Sequence, residues 1–108
     1  MTAKDNQNKK AQILKALGHP IRLNIVEVLL EGERCVNDIK DLFGATQPNI
    51  SQHLNILKFS GILDYRQDKN LRCYFLKNPE KIKQLVHAVR QFVNDEAATE
   101  ALSLIGEY

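Results

Sequence analysis

Four short, uncharged polar residues, Gln47, Ser51, Gln52 and Asn55, stand close together in the run ATQPNISQHLNILK. Each carries donors or acceptors on a short stem, and no carboxylate lies among them. Such side chains match the hydrogen-bonding edges of nucleic-acid bases, and nothing in the run repels phosphate. Thr46 and Asn49 extend the polar set. Two cysteines, Cys35 and Cys73, supply thiols, which can oxidise or bind a soft metal as thiolates. Three histidines complete the chemically versatile residues. His19 precedes Pro20 and reads as a helix-entry residue, and His53 reads as a packed or phosphate-contacting residue. His87 lies beside an apolar stripe with Gln91 at i+4, so no second histidine stands at metal-ligand spacing.

The elements that must position the polar set follow from periodicity. Val36, Ile39, Leu42 and Phe43 share one face of a helix over 36–43. Gly44 suits a helix C-cap that needs positive φ. Thr46 suits an N-cap, and Pro48 fits the first turn, where a missing N–H costs nothing. Ile50, Leu54 and Leu57 then form an inward stripe and leave the polar residues off it. The stretch 36–61 is therefore a helix-turn-helix whose second helix reads.

Upstream, Lys10 to Leu17 is a short amphipathic helix with Ile13, Leu14 and Leu17 on one side, after a flexible tail over 1–9. Pro20 opens a helix to about Leu30, with Ile21, Ile25, Val28 and Leu29 inward. Arg34 to Val36 is short and extended. After Gly61 the period changes to two: 62–66 is a strand, 71–76 its antiparallel mate and 67–70 the turn. Arg66, Lys69 and Arg72 make that hairpin cationic, as a wing over a phosphate backbone would be. Asn78 and Pro79 start the last helix, where Ile82, Leu85, Val86, Val89, Phe92 and Val93 form a stripe too long for so small a core. A second copy would cover it, making Ile13, Leu14, Leu85, Val89, Phe92 and Val93 a dimer interface. Residues 10–94 are thus one domain, and 95–108 are an acidic helical extension.

The 108 residues carry a net charge of +2, unevenly distributed. All fifteen Lys and Arg fall within residues 1–90 against nine acids, whereas 91–108 hold four acids and no base. The basic part suits a polyanion and the tail would point away from it. No apolar run approaches the roughly 18 residues of a membrane span, and the N-terminus lacks a signal-peptide apolar region. A cytoplasmic location is expected, where two distant cysteines do not imply a structural disulfide. No CxxC, HExxH or P-loop is present, and no spacing suggests an enzyme.

Two stretches, LKALGHPIRLNIVEVLLEGERCVNDI and TQPNISQHLNILKFSGILDYRQDKNLRCYFL, resemble the ArsR/SmtB family of bacterial repressors over about residues 11–94. The resemblance implies a mainly α fold with a small β-hairpin wing, dimeric through its first and last helices. It implies a repressor that binds double-stranded operator DNA and releases it when an inducer binds. Gln47, Ser51 and Gln52 would lie in the major groove and the Lys69 wing over backbone or minor groove. ERCVNDI resembles the family's arsenite motif, with Cys35 at its first thiol, but Asn37 and Lys40 stand where further thiols would be. The zinc ligands of the last helix would fall on Asn78, Glu80, Gln91 and Asn94, of which only Glu80 suits the metal, so no site is expected there.

In a winged helix the extended piece before the helix-turn-helix commonly pairs with the second wing strand. That pairing would bring Cys35 and Cys73 together as an effector or redox site. They could form a disulfide or a polysulfide bridge, or give two thiolates to As(III) or a soft metal, with no other cofactor required. The plain alternative is two small buried residues without a sensing role. The expected function is a sequence-specific repressor modulated at these thiols. The competing expectations are the same repressor without cysteine sensing, or a winged-helix module that binds protein.

Overall fold

A computed structural model of the chain describes residues 3–44 and 46–103. Five helices and three strands follow in the order α1 Ala3–Leu17, α2 Pro20–Leu29, β1 Arg34–Cys35, α3 Val36–Phe43, α4 Gln47–Phe59, β2 Leu63–Asp68, β3 Leu71–Leu76 and α5 Pro79–Ser103. The helices enclose one core, and the sheet, ordered β1-β3-β2 and antiparallel throughout, closes one side.

The boundaries are set by local chemistry. His19 caps α2 through Nδ1, which accepts from the Ile21 N–H at 3.1 Å, and Pro20 follows in the first turn. Gly44 ends α3 in the left-handed region at φ 58°, with nothing within 4 Å of where a Cβ would sit. Thr46 caps α4, its hydroxyl accepting from the Asn49 N–H at 3.4 Å. Asn78 caps α5 in the same way, with its Oδ1 accepting from the Lys81 N–H at 3.3 Å.

Ile25, Val26, Leu29, Ile39, Ile50, Leu54, Leu57 and Leu63 fill the core, joined from the sheet by Tyr74 and Leu76 and from α5 by Ile82 and Val86. The expected stripe of α4 is fully buried. Three expectations are corrected. Leu42, assigned to the inward face of α3, is 59% exposed, because Val36 and Ile39 already fill the core side of that two-turn helix. Val26 is buried beside Ile25, whereas Val28 is only half-buried, so the inward arc of α2 is rotated from the expected one. Helix α1 begins at Ala3 and not near Lys10, so 3–9 are helical, with 6–9 exposed.

The hairpin is longer than the periodicity implied. Strand β2 runs on to Asp68, paired with Leu71, and the turn narrows to Lys69 and Asn70, with Lys69 at φ 60°. Helix α5 crosses the expected boundary at 94/95 without a break and reaches Ser103. The end of the expected acidic extension over 95–108 lies outside the described residues.

Candidate DNA-reading face and cysteine pair

Burial of Ile50, Leu54 and Leu57 fixes the rotation of α4 and turns Asn49, Gln52 and Asn55 to solvent. Ser51 is half-buried, on the side toward the wing. Gln47 opens the helix, but its side chain is outside the described set. The Thr46 hydroxyl accepts the cap hydrogen bond. A polar crevice of about 350 Å³ separates α4 from the wing, bordered by Asn37, Ser51, Gln67, Asn70 and Arg72.

The register sorts the wing into two faces, since directly opposed residues on antiparallel strands point the same way. Tyr65 faces Tyr74, and Gln67 faces Arg72, on the side of the sheet that meets the core and α4. The Tyr65 ring is 5.5 Å from that of Tyr74, with the Arg72 guanidinium 4.5 Å and the Lys58 ammonium 5.5 Å from its centroid. One aromatic thus orders a wing cation beside a cation of the reading helix, each attracted to the ring face. Lys69 is exposed at the turn.

Arg66 belongs to the other face. Its Nε donates to both carboxylate oxygens of Glu33 at 3.0 Å, and Nη2 to Oε2 at 2.6 Å. The hydrogen bond from Arg66 holds the Glu33 carboxyl below its ordinary value, and the same bond raises Arg66. Of the three wing cations expected to meet phosphate, Arg66 is therefore already paired.

The row that contains Arg66 contains both cysteines. Arg66 faces Cys73, and Cys73 faces Cys35, across all three strands. Cys35 and Cys73 are joined by a disulfide, with Cα atoms 3.7 Å apart. Cys73 is in the central strand and 0% exposed, whereas Cys35 is part-exposed and serves as the N-cap of α3. The bond therefore ties the wing to the first helix of the reading unit. Among the described residues no three His, Cys, Asp or Glu converge to hold an ion.

A polar cluster under α4 was not anticipated. Arg22 donates from Nε to the Ala16 carbonyl at 2.6 Å and from Nη2 to the Lys15 carbonyl at 3.3 Å, capping the end of α1. Its Nη1 lies 3.3 Å from His53 Nδ1. A guanidinium only donates, so that nitrogen accepts and the His53 proton sits on Nε2. The His19 ring lies 4.6 Å from that of His53, tilted by 47°. Burial, followed by the charges of His19 and Arg22, pushes the His53 imidazole below its ordinary value. One arginine thus joins α1, α2 and the reading helix. The signal in the sequence was the spacing of His19 and Arg22 at i, i+3, with His53 next to the buried Leu54.

A short helix, a tight turn, a polar second helix and a cationic hairpin define a winged helix-turn-helix. The sequence pattern of bacterial regulatory proteins of the arsR family matches residues 19–65. The biofilm growth-associated repressor of Xylella fastidiosa is 40% identical over 93 residues, which cover 82% of this chain and 80% of that protein. The crystal structure of Rv0081 from Mycobacterium tuberculosis superposes with a TM-score of 0.80 at 27% identity, covering 94% of this chain and 99% of that one. The homodimeric winged helix-turn-helix DNA-binding domain Mb0332 from Mycobacterium bovis shares the fold alone, with a TM-score of 0.73 at 24% identity over 100% of this chain and 96% of that one. The chain belongs to the arsR family: it is a DNA-binding transcriptional repressor of ArsR/SmtB type.

Proposed function

We propose that the chain binds operator DNA as a homodimer, and that thiol–disulfide exchange at Cys35 and Cys73 sets its affinity. Asn49, Ser51, Gln52 and Asn55, with Gln47 and Thr46 at the start of α4, read base edges in the major groove. Lys69 and Arg72 contact the backbone beside it. The supporting observation is the pairing of an outward polar, acid-free helix face with a wing whose Arg72 is ordered on Tyr65.

The dimer reading rests on an unpartnered apolar surface. Leu14 is 59%, Phe92 77% and Val93 58% exposed. Leu14, Leu17, Leu23, Leu85, Val89 and Val93 line a groove of about 380 Å³ between α1 and α5. Two copies joined there would present two reading helices related by a dyad, as a palindromic operator requires. No helix among the described residues is long and apolar enough to cross a membrane, and we place the activity in the cytoplasm with the chromosome.

The switch reading rests on where the disulfide lies. It joins β1, which leads directly into α3, to the middle strand of the wing. A bond made or broken there shifts the wing relative to α3 and α4, and the two must meet DNA at once. The oxidised form is assigned the lower operator affinity. The test is a mobility shift on the DNA upstream of the protein's own gene, with reduced and oxidised protein over a salt series. The reading expects tight, salt-sensitive binding by the reduced form. Salt-insensitive binding, or none, would favour a protein-binding module.

A further inference from the structure

We infer that the two cysteines have different roles: Cys35 is the attacking thiol, the site of S-thiolation by low-molecular-weight disulfides, and Cys73 is the resolving thiol. This assignment rests on the thiol-exchange reading above and adds an order of events to it.

Access is the first ground. Exchange needs the incoming disulfide to approach the attacking sulfur in line with the bond that breaks. Cys35 is part-exposed at the junction of β1 and α3, whereas Cys73 is 0% exposed in the central strand. The second ground is electrostatic. Cys35 is the N-cap of α3, and its side chain takes no cap hydrogen bond in the oxidised state. The unpaired N–H groups and positive end of the helix dipole at that position favour a thiolate once the bond is reduced. Asp38, in the same turn, opposes this, but it is solvent-exposed and screened. The third ground is register. Cys73 stands directly opposite Cys35 in a paired ladder. The Glu33–Arg66 ion pair ties the residue two before Cys35 to β2, across the strand that carries Cys73. These non-covalent ties hold the resolving thiol opposite Cys35 after reduction.

The chemistry balances as follows. The Cys35 thiolate attacks one sulfur of RSSR, forming a Cys35–S–S–R bond. The RS–SR bond breaks, and RS⁻ leaves with the electron pair and takes a proton from water. Cys73 loses its proton to solvent and attacks the Cys35 sulfur, and the second RS⁻ leaves. The two cysteines together lose two electrons, and RSSR becomes two RSH.

The experiment treats reduced full-length protein with oxidised glutathione and follows acid-quenched samples by intact mass and peptide mapping. Cys73→Ser is expected to accumulate one stable glutathionyl adduct at Cys35. Cys35→Ser is expected to react about tenfold more slowly or less, as a buried thiol does. Wild type is expected to pass to the internal disulfide without a lasting adduct. Limiting iodoacetamide on reduced wild type gives a second reading that needs no variant: label should fall on Cys35 ahead of Cys73. Equal rates in the two variants, or label first on Cys73, would overturn the assignment. Operator affinity of oxidised wild type is measured alongside. An ordered reaction with unchanged affinity refutes the switch and keeps the order. A fall in affinity with equal thiol reactivity keeps the switch and refutes the order.

Discussion

Gln52 and Ser51 differ in surroundings though they are neighbours in sequence. Gln52 is free in solvent, and Ser51 lies at the crevice where α4 meets the wing. Gln52→Ala and Ser51→Ala are each expected to weaken operator binding by about 1–3 kcal/mol without lowering the melting temperature, as loss of a base contact does. Lys69→Ala should weaken binding to every sequence alike and reduce the salt slope by about one. Fluorescence anisotropy on operator and scrambled duplexes separates the two effects. The outward polar face of α4 was legible because burial of Ile50, Leu54 and Leu57 fixes the helix rotation, and a 3.6-residue period shows that in sequence. The fate of Arg66 was not legible. It looked like a third wing cation, and only the sheet order brings it to Glu33, 33 residues away. Nothing local distinguishes it from Arg72, which the register places on the opposite face.

At the scale of the element, α4 is held from two sides. The Arg22–His53 contact anchors its middle to α1 and α2, and the disulfide fixes the wing and α3 beside it. The first anchor titrates. His53 is held below its ordinary value in the folded chain, while in the unfolded chain it returns to about 6.5. Between those two values the unfolded state binds more protons, so stability is full above about pH 6.5 and falls as pH drops below it. Thermal melts from pH 7.5 down to 5.5 are expected to show that decline, and His53→Gln, which cannot titrate, should flatten it over the same range. An equal decline in both would assign the slope to other groups. Element existence was readable throughout from caps and periods: Gly44, Thr46 and Pro48 mark the turn of the reading unit, and Asn78 starts α5. Element length was less readable. Six polar residues before Lys10 carry no apolar period, yet they continue the helix from Ala3. Leu42 stayed exposed because Val36, Ile39 and the partly buried Phe43 take the core side of that two-turn helix.

At the scale of the molecule, the apolar surface that the single chain leaves open joins α1 to α5. The long α5 stripe was visible in sequence as an excess over what so small a core can use. That the inner turns, Ile82 and Val86, are buried and the outer ones, Val89, Phe92 and Val93, are exposed could be read only from the folded chain. Val89→Asp would set an unpaired charge in that surface and is expected to shift the sedimentation coefficient from dimer to monomer. With the loss of one half-site per molecule, operator affinity should fall while the fold, by circular dichroism, stays. A wild type that sediments as a monomer would remove the interface.

The central claim is that one reading surface is governed by the state of one cysteine pair. The most direct test is the equilibrium affinity of a single preparation, reduced and then oxidised, for its footprinted operator and for a scrambled duplex of equal length at one fixed salt concentration. The reduced form should prefer the operator by about 10³-fold or more, and oxidation should erode that preference reversibly on re-reduction. Equal affinity for both duplexes, or an operator affinity that does not change between the two states, would contradict it.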